Sequence, residues 1–152
     1  MKKRFNTKVI HSGHGTDKET GGVMPPIHLS TTFKQNKPGE FKYEYARTKN
    51  PSRDVLEKLL AELESGEQAF AFASGMAAIN TVCDIFGSDY HIICSDDVYG
   101  GTRRLFDKVK SNIDVTYIDF DKNVNWDEVV SERTKFIWLE TPSNPLMKII
   151  DI

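Results

Sequence analysis

The chain is poor in cysteine, in charge of one sign and in long apolar runs. Its two cysteines among 152 residues, Cys83 and Cys94, build no disulfide framework. A reducing, cytoplasmic setting is the expectation that follows. Lysine and arginine number 20 against 22 acidic residues, a formal net charge of −2. No basic block exceeds Lys2-Lys3-Arg4. This argues against a general nucleic-acid binder, which neutralises phosphates with a basic surface. The longest uncharged stretch, Gln68 to Cys83, is broken by Ser74, Gly75, Asn80 and Thr81, whereas a membrane span needs about 18 or more consecutive apolar residues. No apolar run follows the basic N-terminus, so neither a secretory signal nor a membrane partner is expected. What is present is globular in character: 39% of residues are hydrophobic and 28% charged. That balance excludes disorder driven by low hydrophobicity and high net charge, and the length suits about one domain.

Residues 1–49 are punctuated by Gly13, Gly15, Gly21-Gly22, Pro25-Pro26, Pro38 and Gly39 and hold no sustained period. They read as an extended arm with turns. The arm carries Val9, Ile10, Met24, Ile27, Leu29, Phe33 and Phe41, too apolar to float free, so it is expected to lie on its own body or on another subunit.

From Asn50 the pattern sharpens. Asn50-Pro51 pairs a capping side chain with a proline suited to the first helical position. Val55, Leu56, Leu59, Leu60 and Leu63 follow at helical spacing. Gln68–Phe72 reads as a buried strand and Met76 to about Phe86 as a helix. Strands at Tyr90–Cys94, Asp114–Phe120 and Lys135–Leu139 alternate with helices over Thr102 to about Lys110 and Asp127 to about Arg133. This order predicts an α/β fold with a mostly parallel, four-stranded sheet.

In such sheets ligands bind beyond the carboxyl ends of the strands, which directs attention to three loops. Ser74-Gly75-Met76 stands at a strand-to-helix turn, where main-chain N–H groups of Gly75 and Met76 could meet a phosphate; a plain tight turn is the alternative. Tyr99, before Gly100-Gly101, could stack on a planar ligand or simply pack in a crevice. Asn144, between Pro142-Ser143 and Pro145, is either a fixed amide for a ligand oxygen or turn chemistry. Tyr43, Tyr45 and Arg47 alternate at the end of the arm, as a phosphate clamp or as two packed tyrosines beside a solvated arginine. Asp96-Asp97 suits loop capping better than a cation. His11 and His14 lack the four-ligand set of structural zinc, so no metal is expected. Cys83, Cys94, Trp126 and Trp138 are expected in the core. A plain nucleotide-binding sheet is disfavoured, since no Gly-x-Gly-x-x-Gly follows the first strand.

Six segments in order resemble one family. They are Val23-Met24-Pro25-Pro26-Ile27; Tyr45-Ala46-Arg47 with Asn50-Pro51-Ser52-Arg53; Leu60-Ala61-Glu62-Leu63-Glu64; Ser74-Gly75-Met76-Ala77-Ala78-Ile79; Asp97-Val98-Tyr99-Gly100-Gly101-Thr102; and Glu140-Thr141-Pro142-Ser143-Asn144-Pro145. The chain resembles, from about Phe5 onward, the pyridoxal-phosphate (PLP) enzymes of cysteine and methionine metabolism, among them the cystathionine gamma-synthases and lyases. The resemblance implies a truncated large domain of the aspartate-aminotransferase-like, type I PLP-dependent fold. Residues 1–49 would be an arm contacting a neighbouring subunit and 50–152 an incomplete PLP-binding domain. It implies that Gly75 and Met76 bind the cofactor phosphate and that Tyr99 stacks on the ring and serves as an acid/base. Asn144 would lie near the ring oxygen, and Tyr45 with Arg47 would reach the phosphate of a neighbouring subunit in a homotetramer. The implied chemistry makes or cleaves cystathionine by gamma-replacement or gamma-elimination, on a sulfur amino acid or activated homoserine; beta-lyase or homoserine sulfhydrylase chemistry are alternatives. The aldimine lysine, its acidic partner and the substrate-carboxylate arginine have no counterparts in 1–152, so the chain reads as an N-terminal fragment, inactive alone. An inactive remnant or subunit-pairing module is the non-enzymatic alternative.

Overall fold

A computed structural model describes residues 4–152. The chain divides into two compact units, one running to Ala71 and the other from Phe72. The helix that opens at Pro51 therefore belongs with the arm.

In the first unit, α1 covers Phe5–His11 and α2 covers Pro51–Leu63. Helix α2 begins as expected: Asn50 Oδ1 accepts the Ser52 N–H at 2.8 Å, and Pro51 occupies the first turn, where its missing N–H costs nothing. Helix α1 is a departure from the extended arm read in the sequence. Its short span shows no period, and it is held from outside, by Lys8 Nζ donating to the Glu62 carbonyl at 3.0 Å. Gly13 then turns the chain with φ +79°, and a Cβ there would stand 2.9 Å from Leu59 N. Only glycine tolerates both that backbone and that approach. The rest of the arm is extended between turns at 18–20, 38–39 and 46–48, with Thr32 and Tyr45 bridged antiparallel.

In the second unit, α3 spans Gly75–Asp84, β1 Tyr90–Ser95, α4 Gly100–Arg104, β2 Ile113–Ile118, α5 Trp126–Val129 and β3 Thr134–Trp138. A π-helical turn, Leu105–Val109, continues α4. The sheet has the order β2-β1-β3, all parallel. The central strand β1 is buried along its whole length, Ile92 and Ile93 completely, as a strand covered on both faces must be. Cys83, Tyr90, Ile92, Cys94, Leu105 and Phe106 form the core, with Met76, Phe136 and Trp138 packed against it. His91 forms a polar rung across the sheet, 2.7 Å from Thr134 Oγ1 and 2.9 Å from Thr116 Oγ1.

The expected fourth strand is absent: 68–72 is extended but unpaired. Phe70 is 72% exposed, and the Ala71 N–H donates to the Glu57 carboxylate instead of to a strand. A strand is a pairing property, and no described segment supplies the partner. Trp126 is likewise exposed rather than in the core, its ring tilted against Phe120 with centroids 6.3 Å apart.

Ile92→Ala should cost about 2–5 kcal/mol, because the completely buried side chain leaves a cavity. Ile137→Ala, on the half-exposed edge strand β3, should cost less than half as much. Urea denaturation midpoints of the two variants compare them directly.

Candidate functional site

The start of α3 presents main-chain donors to open space. Ser74 is its N-cap, and its Oγ accepts the Ala77 N–H at 3.2 Å. The first backbone bond of the helix runs from the Ala78 N–H to the Ser74 carbonyl at 3.2 Å. The N–H groups of Gly75 and Met76 precede it and have no intrahelical acceptor. Nothing lies within 4 Å of where a Gly75 Cβ would stand, so the approach is open. The helix dipole adds positive potential at that point.

The loop after β1 comes to the same place. Tyr99 precedes α4 and is 46% exposed. A Cβ at Gly101 would overlap the Tyr99 ring and stand 2.9 Å from Met76 Sδ. The absent side chain is what lets Tyr99 and Met76 close on the same backbone. Gly75, Met76, Tyr99 and Gly101 are thus gathered between the starts of α3 and α4.

The loop after β3 is tied to the one after β1. The Ser143 hydroxyl donates to Asp97 Oδ2 in a short hydrogen bond, and the Leu146 N–H donates to the same oxygen at 3.0 Å. The Tyr99 N–H donates to Glu140 Oε2 at 3.0 Å. Asn144, exposed at the loop tip, therefore sits on a segment pinned to the Tyr99 segment. Lys148 Nζ closes the rim, 2.9 Å from Asp119, 3.5 Å from Asp96 and 3.8 Å from Asp121. The hydrogen bond to Asp119 holds the Lys148 ammonium above its usual pKa and the Asp119 carboxyl below its own.

Tyr45 and Arg47 belong to the first unit. The Arg47 guanidinium lies over the Tyr45 ring at 5.0 Å from its centroid, so the two form one exposed cationic face. Tyr43 takes no part: its hydroxyl donates to Asp54 at 2.9 Å. Burial, then that bond, pushes its pKa up to about 12.

The thiols offer no nucleophile. Burial raises Cys83 and pushes Cys94 up to about 12. Among the described residues no group of three or more His, Cys, Asp or Glu side chains is placed to hold a metal ion. No described helix is long and apolar enough to cross a membrane.

Asp97, Ser143, Glu140 and Lys148 were not singled out as site residues by sequence reasoning. Asp97 carried a signal as a loop-capping acid; nothing local marked its partner 46 residues away.

The parallel sheet and its loop rim define an α/β unit whose polar groups gather beyond the carboxyl ends of its strands. Residues 6–152 match the model of the Cys/Met metabolism PLP-dependent enzymes, and the chain belongs to that PLP-dependent family. It is 50% identical over 151 residues to the cystathionine beta-lyase of Lactococcus lactis subsp. cremoris (strain MG1363), covering 97% of this chain and 40% of that protein. It is 46% identical to the cystathionine gamma-lyase of Bacillus subtilis (strain 168), covering 100% of this chain and again 40% of the relative. The crystal structure of cystathionine gamma-lyase from Lactobacillus plantarum complexed with L-serine superposes with a TM-score of 0.89 at 45% identity, over 97% of this chain and 39% of that one. The chain thus spans about 40% of the length of the relatives it matches.

Native-state burial predicts an alkaline limit. Cys94 and Tyr90 are both pushed up to about 12, chiefly by burial, against about 8.5 and 10 in an unfolded chain. The unfolded state releases these protons first, so their contribution is complete below about pH 8.5 and is lost as pH climbs toward about 12. The urea midpoint should fall between pH 8 and 10.5, and Cys94→Ala should flatten that fall. Neither cysteine should react with a thiol reagent at pH 8 until denaturant is added.

Proposed function

We propose that these residues are the phosphate- and ring-holding portion of a PLP-dependent enzyme that acts on cystathionine or a related sulfur amino acid. The observation that carries the reading is the gathering of open helix-start donors, the Tyr99 ring and the tied Asn144 loop on one rim. The beta- and gamma-lyase relatives support elimination, with cleavage of a carbon–sulfur bond, over the replacement chemistry of a synthase. Coverage of 40% of those relatives supports a portion of a longer catalytic polypeptide.

When bound, the cofactor supplies an electron sink for negative charge developing beside the substrate amino group. The donors present fit its phosphate: Gly75 and Met76 offer main-chain N–H groups with the helix dipole behind them. Tyr99 would stack on the ring face, and its Oη would move a proton at the substrate. Asn144 would hold the ring oxygen through its Nδ2 amide. Tyr45 and Arg47 serve the phosphate of a second copy, where the planar guanidinium suits a bidentate contact. Residues 1–49 are the docking arm in this reading, and Ile27 and Leu29, 83% and 87% exposed, support association with further copies into a homotetramer. Lys148 is committed to three carboxylates and Lys49 lies 3.9 Å from Asp54. Neither is the covalent anchor of the cofactor.

Titration with pyridoxine 5′-phosphate, which lacks the aldehyde, should quench protein fluorescence saturably, and inorganic phosphate should compete. Gly75→Asp should weaken binding at least about tenfold, roughly 1.4 kcal/mol, by placing a carboxylate at the anion site. Equal affinity for unphosphorylated pyridoxine would sink the proposal.

A further inference from the structure

We infer that Asp97 is a positioning residue, a latch that sets Tyr99 and Asn144 as one unit against the cofactor ring. The inference rests on the cofactor reading above and assigns a role to a side chain that touches no ligand.

Asp97 lies two residues before Tyr99 and is 8% exposed; Ser143 lies one residue before Asn144 and is 1% exposed. A single oxygen, Asp97 Oδ2, accepts both the Ser143 hydroxyl and the Leu146 N–H, so it grips the 140–147 loop on both sides of Asn144. Ser143 is fully employed: its hydroxyl oxygen accepts the Lys148 N–H at 2.8 Å, and its own N–H donates to the Lys148 carbonyl at 2.9 Å. The hydroxyl proton goes to Asp97. On the other side, the Asp97 carbonyl accepts the Ser95 hydroxyl at 3.4 Å, which anchors the latch to the end of β1. The Tyr99–Glu140 bond closes the same ring of contacts from the opposite end.

Buried, satisfied networks of this kind hold geometry, and removing one member leaves the others unpaired. Asn144 and Tyr99 remain exposed at its edge, free to face a ligand. The phosphate donors of Gly75 and Met76 lie on α3, outside the latch. Ring recognition and phosphate recognition therefore have separate supports.

The test uses that separation. Asp97→Asn and Ser143→Ala should each weaken binding of pyridoxine 5′-phosphate about tenfold, and the double variant should lose clearly less than the product of the two single losses, because the Ser143–Asp97 bond is common to both. Affinity for inorganic phosphate, read by 31P line broadening, should stay within about twofold, which a general folding defect would not allow. Equal loss for both ligands, multiplication of the two losses, or no loss at all would overturn the inference. A second measurement needs no ligand. In 1H–15N spectra of the labelled chain, Asp97→Asn should shift the Tyr99 backbone and Asn144 side-chain amides together while the Gly75 amide stays in place. An unmoved Asn144 amide would overturn the latch. If the unsubstituted chain fails to bind pyridoxine 5′-phosphate, the cofactor reading falls, and these spectra still decide whether Asp97 couples the two loops.

Discussion

Strand β1 is bonded on both sides, in parallel, to β2 and β3. Parallel pairing points every strand the same way, so the loops after Ser95, Ile118 and Trp138 leave from one edge of the sheet. An antiparallel neighbour would have sent its loop to the opposite edge. Tyr99, Asp119 and Glu140 share a rim for this reason. The burial of Ile92 and Ile93 holds the arrangement, because β1 cannot slip by one residue without exchanging its two faces.

On that rim the contacts are polar and mutual. Asp97, Glu140 and Lys148 each join loops that follow different strands. Loops on a surface are ordinarily the most mobile part of a fold. Here they are cross-linked by hydrogen bonds that run from exposed at Tyr99 to buried at Asp97, which restricts the loops that carry Tyr99 and Asn144. Prior restriction of this kind is what a site needs if binding energy is not to be spent on ordering it.

The apolar surface tells a complementary story. Val23, Met24, Ile27 and Leu29 of the arm and Ile85, Val109 and Ile149 of the second unit are all more than half exposed. The segment that carries Tyr45 and Arg47 thus presents apolar as well as cationic surface.

Local chemistry made several features legible in the sequence. Asn50-Pro51 marks a helix start ahead of residues at helical spacing, since cap and proline act within one turn. The alternation of short apolar runs with helical periods from Met76 onward implies a parallel sheet, and Tyr99-Gly100-Gly101 follows the end of one of its strands. Other features depended on partners distant along the chain. The 68–72 segment has a strand's composition but is unpaired, helix α1 owes its hold to α2, and Trp126 stays at the surface despite its size. Asp97 gripping the loop around Asn144 is a contact between residues 46 apart. Short-range propensity and periodicity, which act over a few residues, were readable from the order of amino acids. Which loops meet, and which side chains their meeting immobilises, was decided by the packing of the sheet, because hydrogen bonds between loops form only after the strands have brought them together.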